Sequence, residues 1–148
     1  MKKALLALII LASCSPKITD LSVKSVNEIA AADIAMSDLA AKIGFNQALL
    51  AYADENVIKP QENRFPVIGR KNLSEFFGER IGPKTLSWAP YRTEAARSGD
   101  FGYSVGKWTL ALKDTTMYGE YYTIWKKQAD GKWKFVLDGG NGTPKPKQ

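Results

Sequence analysis

The chain has 148 residues, 45% hydrophobic and 24% charged, which suits one globular domain with a real core and excludes two large domains or a disordered chain. Its net charge of +6 is spread over 21 Lys and Arg against 15 Asp and Glu, with no basic run beyond Lys126-Lys127 and a Lys145-Pro146-Lys147 tail, which argues against nucleic-acid binding. Histidine is absent and Cys14 is the single cysteine, so Ser-His triads, the usual zinc sites and a disulfide are all excluded, and no cofactor is implied.

Met1 to Cys14 begins with two lysines and continues with an apolar run, Ala4 to Ala12, that is too short to span a bilayer and is typical of a signal peptide. Leu11-Ala12-Ser13-Cys14 resembles the bacterial lipobox, in which the cysteine becomes the acylated first residue. Residues 1–13 are then a lipoprotein signal peptide, and 14–24 are the lipidated cysteine and a polar tether. Two acyl chains already anchor a protein stably, so this reading puts the domain at a membrane surface outside the cytoplasm. Ser15, which is not aspartate, favours the outer membrane. An ordinary secretory signal with a chance cysteine is the alternative.

Ser25-Val-Asn-Glu28 has capping-box spacing and predicts a helix to Ile43, stopped by Gly44. Ile29, Met36, Ala40 and Ile43 form its apolar stripe, with Ala32 between them. Phe45 to Ala53 predicts a second helix, Asn56 to Lys59 a brief strand closed by Pro60, and Asn72 to Glu79 a third helix with Leu73, Phe76 and Phe77 on one side. From Leu86 the pattern is strand-like. Leu86 to Ala96 is one strand, and Pro90 within it argues for an edge or a bulge; Phe101 to Leu112 is the next. Gly102, Gly106 and Gly119 suggest bends or close approach.

Tyr121 to Asp138 reads as a hairpin turning at Asp130-Gly131, a pair suited to a two-residue type I′ turn. Counting outward pairs Trp125 with Val136 and Thr123 with Asp138. One face then carries Tyr121, Thr123, Trp125, Val136 and Asp138; the other carries Tyr122, Ile124, Phe135 and Leu137, with Trp133 near the turn. Asp138 to Gly142 leaves the sheet, and 143–148 is a frayed tail.

Helices followed by a glycine-bent sheet resemble the NTF2-like superfamily, in its SnoaL-like and DUF4440 branch. The segments that carry the resemblance are Ala51 to Val57, Val67 to Phe77, Leu86 to Pro90, Ser98 to Gly106 and Tyr122 to Lys134. The resemblance implies an α+β domain over 25–142: three N-terminal helices packed on a strongly curved antiparallel sheet, a cone with a pocket inside. It implies fold far better than activity. Ketosteroid isomerase, a member of that superfamily, has a catalytic aspartate just before the proline, where this chain has Lys59. It also uses a tyrosine on the first helix, absent from Ser25 to Ile43, and a second aspartate whose position here is Thr123. All three roles fail, so that chemistry is not expected.

Asp138 is the remaining candidate for an acid or base, with Tyr121 or Thr123 as hydrogen-bond donor on a lactone, polyketide-like or carbonyl substrate. The alternative is a strand-end aspartate capping the glycine turn after it. Tyr121, Thr123, Trp125, Asp138, Lys59, Tyr103 and Trp108 are the candidate pocket lining, although Tyr103 and Lys107 lie opposite Trp108 in strand parity and the sequence leaves open which side points inward. Lys107 inside favours an anionic ligand and Trp108 inside an apolar one. Three functions follow: binding of a small apolar or anionic molecule or an accessory role in the cell envelope, an enzyme built on Asp138, and a contact module, such as a homodimer, using the outer sheet face.

Overall fold

The computed structural model describes residues 19–147, so the segment read as a signal peptide and Cys14 lie outside the described residues. Three helices pack on a six-stranded sheet: α1 (Ser22–Ile43), α2 (Phe45–Tyr52), β1 (Ala53–Gln61), β2 (Arg64–Ile68), α3 (Arg70–Phe77), β3 (Leu86–Ala95), β4 (Phe101–Ala111), β5 (Thr116–Lys127) and β6 (Trp133–Thr143). The strand order is β2-β1-β6-β5-β4-β3, with β1 parallel to β6 and every other pair antiparallel. The sheet is therefore mixed, and the third helix follows two strands. No helix among the described residues is long and apolar enough to cross a membrane.

α1 begins three residues before the capping box. Asp20 accepts the Ser22 N–H at 2.9 Å, and Ser25 sits inside the helix, where its hydroxyl donates to the Gly99 carbonyl. Glu28 accepts instead from Lys127 Nζ at 2.6 Å and Trp133 Nε1 at 3.0 Å, which ties the helix to the β5–β6 hairpin. β1 runs through Pro60 because the proline stands where the pairing with β2 shifts register, at a point that needs no donor. Pro90 lies on β3, which is both an edge strand and bulged between Pro90 and Arg92.

The β5–β6 turn differs from the two-residue expectation. Gly131 N–H donates to Gln128 O, Gln128 N–H donates to Lys132 O, and Gly131 takes φ 81° while Asp130 keeps a negative φ, so the loop has three residues. Trp125 then faces Phe135 rather than Val136. One residue further on, Val136 bulges out, and the ladder resumes with Ile124 facing Leu137 and Thr123 facing Asp138. The offset at the turn and the bulge cancel. Burial decides this: Trp133 and Phe135 both enter the core at 6% and 0% exposure, each worth about 1.5–3 kcal/mol, and Lys134 stays outside. Beyond Asp138 the chain remains paired to Thr143 and does not turn away.

The core lies between the helices and one face of the sheet. Ile29, Met36 and Ala40 from α1, Ala48 and Leu49 from α2, and Leu73 and Phe77 from α3 meet Val57, Trp125, Trp133 and Phe135. The Trp125 ring is met edge-on by Tyr52 and packs at 82° to Phe135, the edge-to-face arrangement aromatic rings prefer.

Candidate functional site

On the helix-facing side of the sheet an acid sits where the apolar stripe of α1 faces the strands. Asp33 is fully buried. Its Oδ1 accepts from Trp88 Nε1 at 2.8 Å and its Oδ2 from the Tyr121 hydroxyl at 2.7 Å. Ser104, whose Oγ accepts from Trp125 Nε1 at 2.9 Å, adds its hydroxyl's pull on the Asp33 carboxyl to that of Trp88 and Tyr121. Burial pushes the Asp33 carboxyl above its ordinary range, the three donors pull it back, and the charge of Asp138 adds to the upward push. Tyr121 is shifted up as well, first by burial and then by the charge of Asp33 beside it.

Asp138 forms a second polar group next to the first. Thr123 Oγ1 donates to its Oδ2 at 2.8 Å, and Lys59 Nζ lies 2.9 Å from its Oδ1 and 3.3 Å from its backbone oxygen. The side chains of Lys59 and Asp138 are 16% and 11% exposed, so this pair reaches the surface where Asp33 does not. Asp138 caps no turn; its carboxylate is held between a hydroxyl and an ammonium. Among the described residues no buried side-chain nitrogen or oxygen lacks a partner.

Past Tyr121 the same side of the sheet loses its covering. Tyr121 faces Gly140 and Gly119 faces Gly142 across β5 and β6, and both Gly140 and Gly142 are exposed. A Cβ on Gly119 would collide with the Trp108 indole, so the glycine is what lets that ring lie down on β5. Leu110 stands half-buried on the same side, and Met117 is 48% exposed. The result is an apolar strip without side chains along its β6 edge, with the Lys59–Asp138 pair one residue pair further in.

Of the predicted lining, Tyr121, Thr123, Asp138, Lys59 and Trp108 share this side. Trp125 shares it too, but at 0% exposure it belongs to the core and not to a pocket wall. Tyr103 and Lys107 point the other way: Ser104, Gly106 and Trp108 face the helices, which resolves the open parity of β4 and removes Tyr103 from the site. Tyr103 instead stands opposite Glu94 across β3 and β4 on the open face. Asp33 was not foreseen. The signal for it was an acid four residues after Ile29 and three before Met36, inside the stripe assigned to the core.

The open face of the sheet carries an apolar row running Tyr103, Ile124, Leu137, Ile58, Ile68 across five strands. Tyr122, beside that row, is 45% exposed and Ile68 58%. A shallow hollow of about 600 Å³ on this face is lined by Ala89, Pro90, Tyr91, Lys107 and Glu120.

The sequence matches no family model and no curated protein. Solved structures match it in fold. A ketosteroid isomerase-like protein from Erwinia carotovora atroseptica superposes with a TM-score of 0.59 at 17% identity, covering 80% of this chain and 99% of that one. An NTF2-like protein of unknown function from Shewanella oneidensis gives 0.59 at 17%, covering 77% and 96%. A candidate scytalone dehydratase from Novosphingobium aromaticivorans gives 0.61 at 16%, covering 82% and 86%. With three helices on a six-stranded mixed sheet and these neighbours, the chain has the NTF2-like fold.

Proposed function

We propose that this chain is a small-molecule-binding domain tethered by a lipidated Cys14 to the outside of a bacterial envelope membrane, with the outer membrane as its place. The observation that carries the binding reading is the half-covered, mostly apolar strip beyond Tyr121, which ends on one partly exposed charge pair, Lys59–Asp138. Apolar walls with a few convergent polar groups are the usual make-up of small-molecule sites. The enzymatic alternative, with Asp138 as acid or base on a carbonyl or polyketide-like substrate, is disfavoured because both of its carboxylate oxygens are occupied, by Thr123 and by Lys59. The lipid tether rests on the lipobox-like Leu11 to Cys14 and is tested by Cys14→Ser, which should release the protein from membranes.

The binding test is a thermal-shift screen of the chain from Ser15, which keeps every described residue, against small metabolites, with Asp138→Asn alongside. A ligand at a hundredfold over its Kd adds roughly 2.7 kcal/mol. A stabilising hit that the variant loses supports the reading. No hit across a broad screen, from a variant as stable as the parent, sinks it.

A second reading is favoured by the open face. Its row of exposed aliphatic and aromatic side chains suits contact with another protein, and a homodimer is the simplest form of it. Light scattering on a sizing column separates the two: a dimer that Tyr122→Glu converts to a monomer would support this use of the face, and a monomeric parent would end it.

A further inference from the structure

Resting on the lipid tether proposed above, we infer that the outward face of α1 is a membrane-contact face, on which the domain lies against the lipid surface with its open sheet face turned away.

The tether is the first argument. The chain is pinned where it enters α1: the Leu21 N–H donates to the Arg97 carbonyl at 3.0 Å, and Asp20 pairs with the Arg97 guanidinium at 3.3 Å. Six residues lead from Cys14 to Asp20, and six residues reach at most about 20 Å however they are arranged. A lipid on Cys14 therefore delivers the first turn of α1 to the bilayer, together with the β3–β4 turn to which it is pinned. The rest of the helix, about 33 Å long, can then lie down along the surface.

The make-up of the helix is the second. Val23, Asn27, Ala31, Ile34, Ala35 and Asp38 point outward and are exposed, Val23 at 77% and Ile34 at 47%. A surface helix ordinarily carries its charges on that side. Here no exposed residue between Lys24 and Asp38 is charged, because the two acids of that span turn elsewhere: Glu28 to Lys127 and Trp133, and Asp33 into the core. Lys24 and Lys42 stand on one edge of the face, five helical turns apart, where their long stems can carry the ammonium groups to lipid phosphates. The contact of Lys24 with Glu28 is loose, at 3.7 Å. Asp38 is the one acid on the face, one turn from Lys42. An uncharged stripe edged by lysines is the pattern of a helix that lies in a membrane interface.

Strength is the third. Leu21, Val23 and Ile34 are too few to hold a free protein on lipid, but a short tether gives an effective concentration of about millimolar, at which a weak contact suffices.

The test uses the chain from Ser15, which has no cysteine, carrying an N-terminal hexahistidine and held on vesicles of phosphatidylcholine, phosphatidylglycerol and a nickel-chelating lipid. That tether stands in for the acyl chains, so orientation is measured whether or not a cell acylates Cys14. An environment-sensitive nitrobenzoxadiazole label is attached at Ala31→Cys on α1 or at Lys107→Cys on the open sheet face. On vesicles the Ala31→Cys label should shift to the blue and be quenched by spin-labelled lipid, and the Lys107→Cys label should do neither. Adding Ile34→Glu should abolish the shift at an unchanged Tm, with the protein still on the vesicles. No shift at Ala31→Cys, or equal shifts at both labels, overturns the inference. A shift without vesicles that grows with protein concentration assigns the face to a second copy and overturns it as well. The tether is read separately, by release of Cys14→Ser from cell membranes: release with no shift at Ala31→Cys sinks the face and keeps the tether, whereas a shift with no release sinks the tether and keeps the affinity of the face for lipid.

Discussion

Tyr121 and Asp33 are 88 residues apart in sequence, and the Tyr121 hydroxyl donates to Asp33 Oδ2 at 2.7 Å inside the protein. With Trp88 on the other oxygen, this carboxyl joins α1 to an edge strand and a central strand at one point. It fixes how the first helix lies across the sheet.

Removing that acceptor should be expensive. Asp33→Ala leaves the Trp88 N–H and the Tyr121 O–H facing a cavity, at roughly 1–3 kcal/mol for each unsatisfied donor. Asp33→Asn keeps one acceptor oxygen and should lose about half as much. Urea denaturation of the two variants measures both, and an alanine variant within about 1 kcal/mol of the parent would show that the network contributes little.

The same residue gives stability a pH dependence of known sign. Burial raises the folded Asp33 above its ordinary 3.8, so its contribution is complete below that value and is lost as pH rises through the raised one. Glu28 behaves in the opposite way: hydrogen bonds from Lys127 and Trp133 lower it from 4.5, so its contribution is present above 4.5 and is lost as pH falls through the lowered value. In denaturation midpoints taken from about pH 3 to 7, Asp33→Asn should gain on the parent as pH rises, and Glu28→Gln should flatten the acid limb. An Asp33→Asn curve parallel to the parent's contradicts the first assignment.

Lys59 and Asp138 should depend on each other. Lys59→Met strands a mostly buried carboxylate and should cost about 2–4 kcal/mol, whereas Lys59→Met with Asp138→Asn should recover most of it. A double-mutant cycle by chemical denaturation gives the coupling; additive losses would mean the two groups do not act as a pair.

Two glycines on one side of the sheet should respond differently to the same methyl group. Gly119→Ala drives a Cβ into the Trp108 ring and the Asn141 carbonyl and should destabilise by about 1–3 kcal/mol. Gly142→Ala meets only the Tyr118 carbonyl, at an ordinary 3.9 Å, and should stay within about 0.5 kcal/mol of the parent. Thermal melts of the pair check the contrast.

Much of this architecture was legible in the residues. Leu73, Phe76 and Phe77 mark a helix by their spacing, and Pro90 marks an edge or bulge by its missing donor; counting outward from the turn reaches Thr123 opposite Asp138 only because the three-residue loop and the Val136 bulge offset each other. The failures have physical causes. Asp130-Gly131 suits a two-residue turn, but the pair also suits a three-residue loop with glycine at its last position, and only the burial of Trp133 and Phe135 chooses between them. Parity on β4 is not set by the sequence because the Lys113 to Tyr118 connection leaves the register open. Asp33 stayed hidden for another reason: helical spacing shows which residues face inward but not which partners wait there, and its donors come from Trp88 and Tyr121, far along the chain. The β1–β2 hairpin is not legible in the sequence, because Pro60 closes the expected strand where β1 in fact continues to Gln61.

The bulge at Val136 makes that residue surplus. Deleting a residue inside a central strand ordinarily turns every later side chain over to the wrong face. Here Phe135 already faces Trp125 and Leu137 already faces Ile124, so excising Val136 would join two segments whose alternation agrees across the gap. Trp133 and Phe135 would keep the core, Asp138 would keep Thr123, and the extra local twist of the bulge would be lost, with β1 adjusting where it pairs with Phe135 and Leu137 on either side of the gap. The strand holds a spare link, and shortening it there is an edit the sheet can absorb.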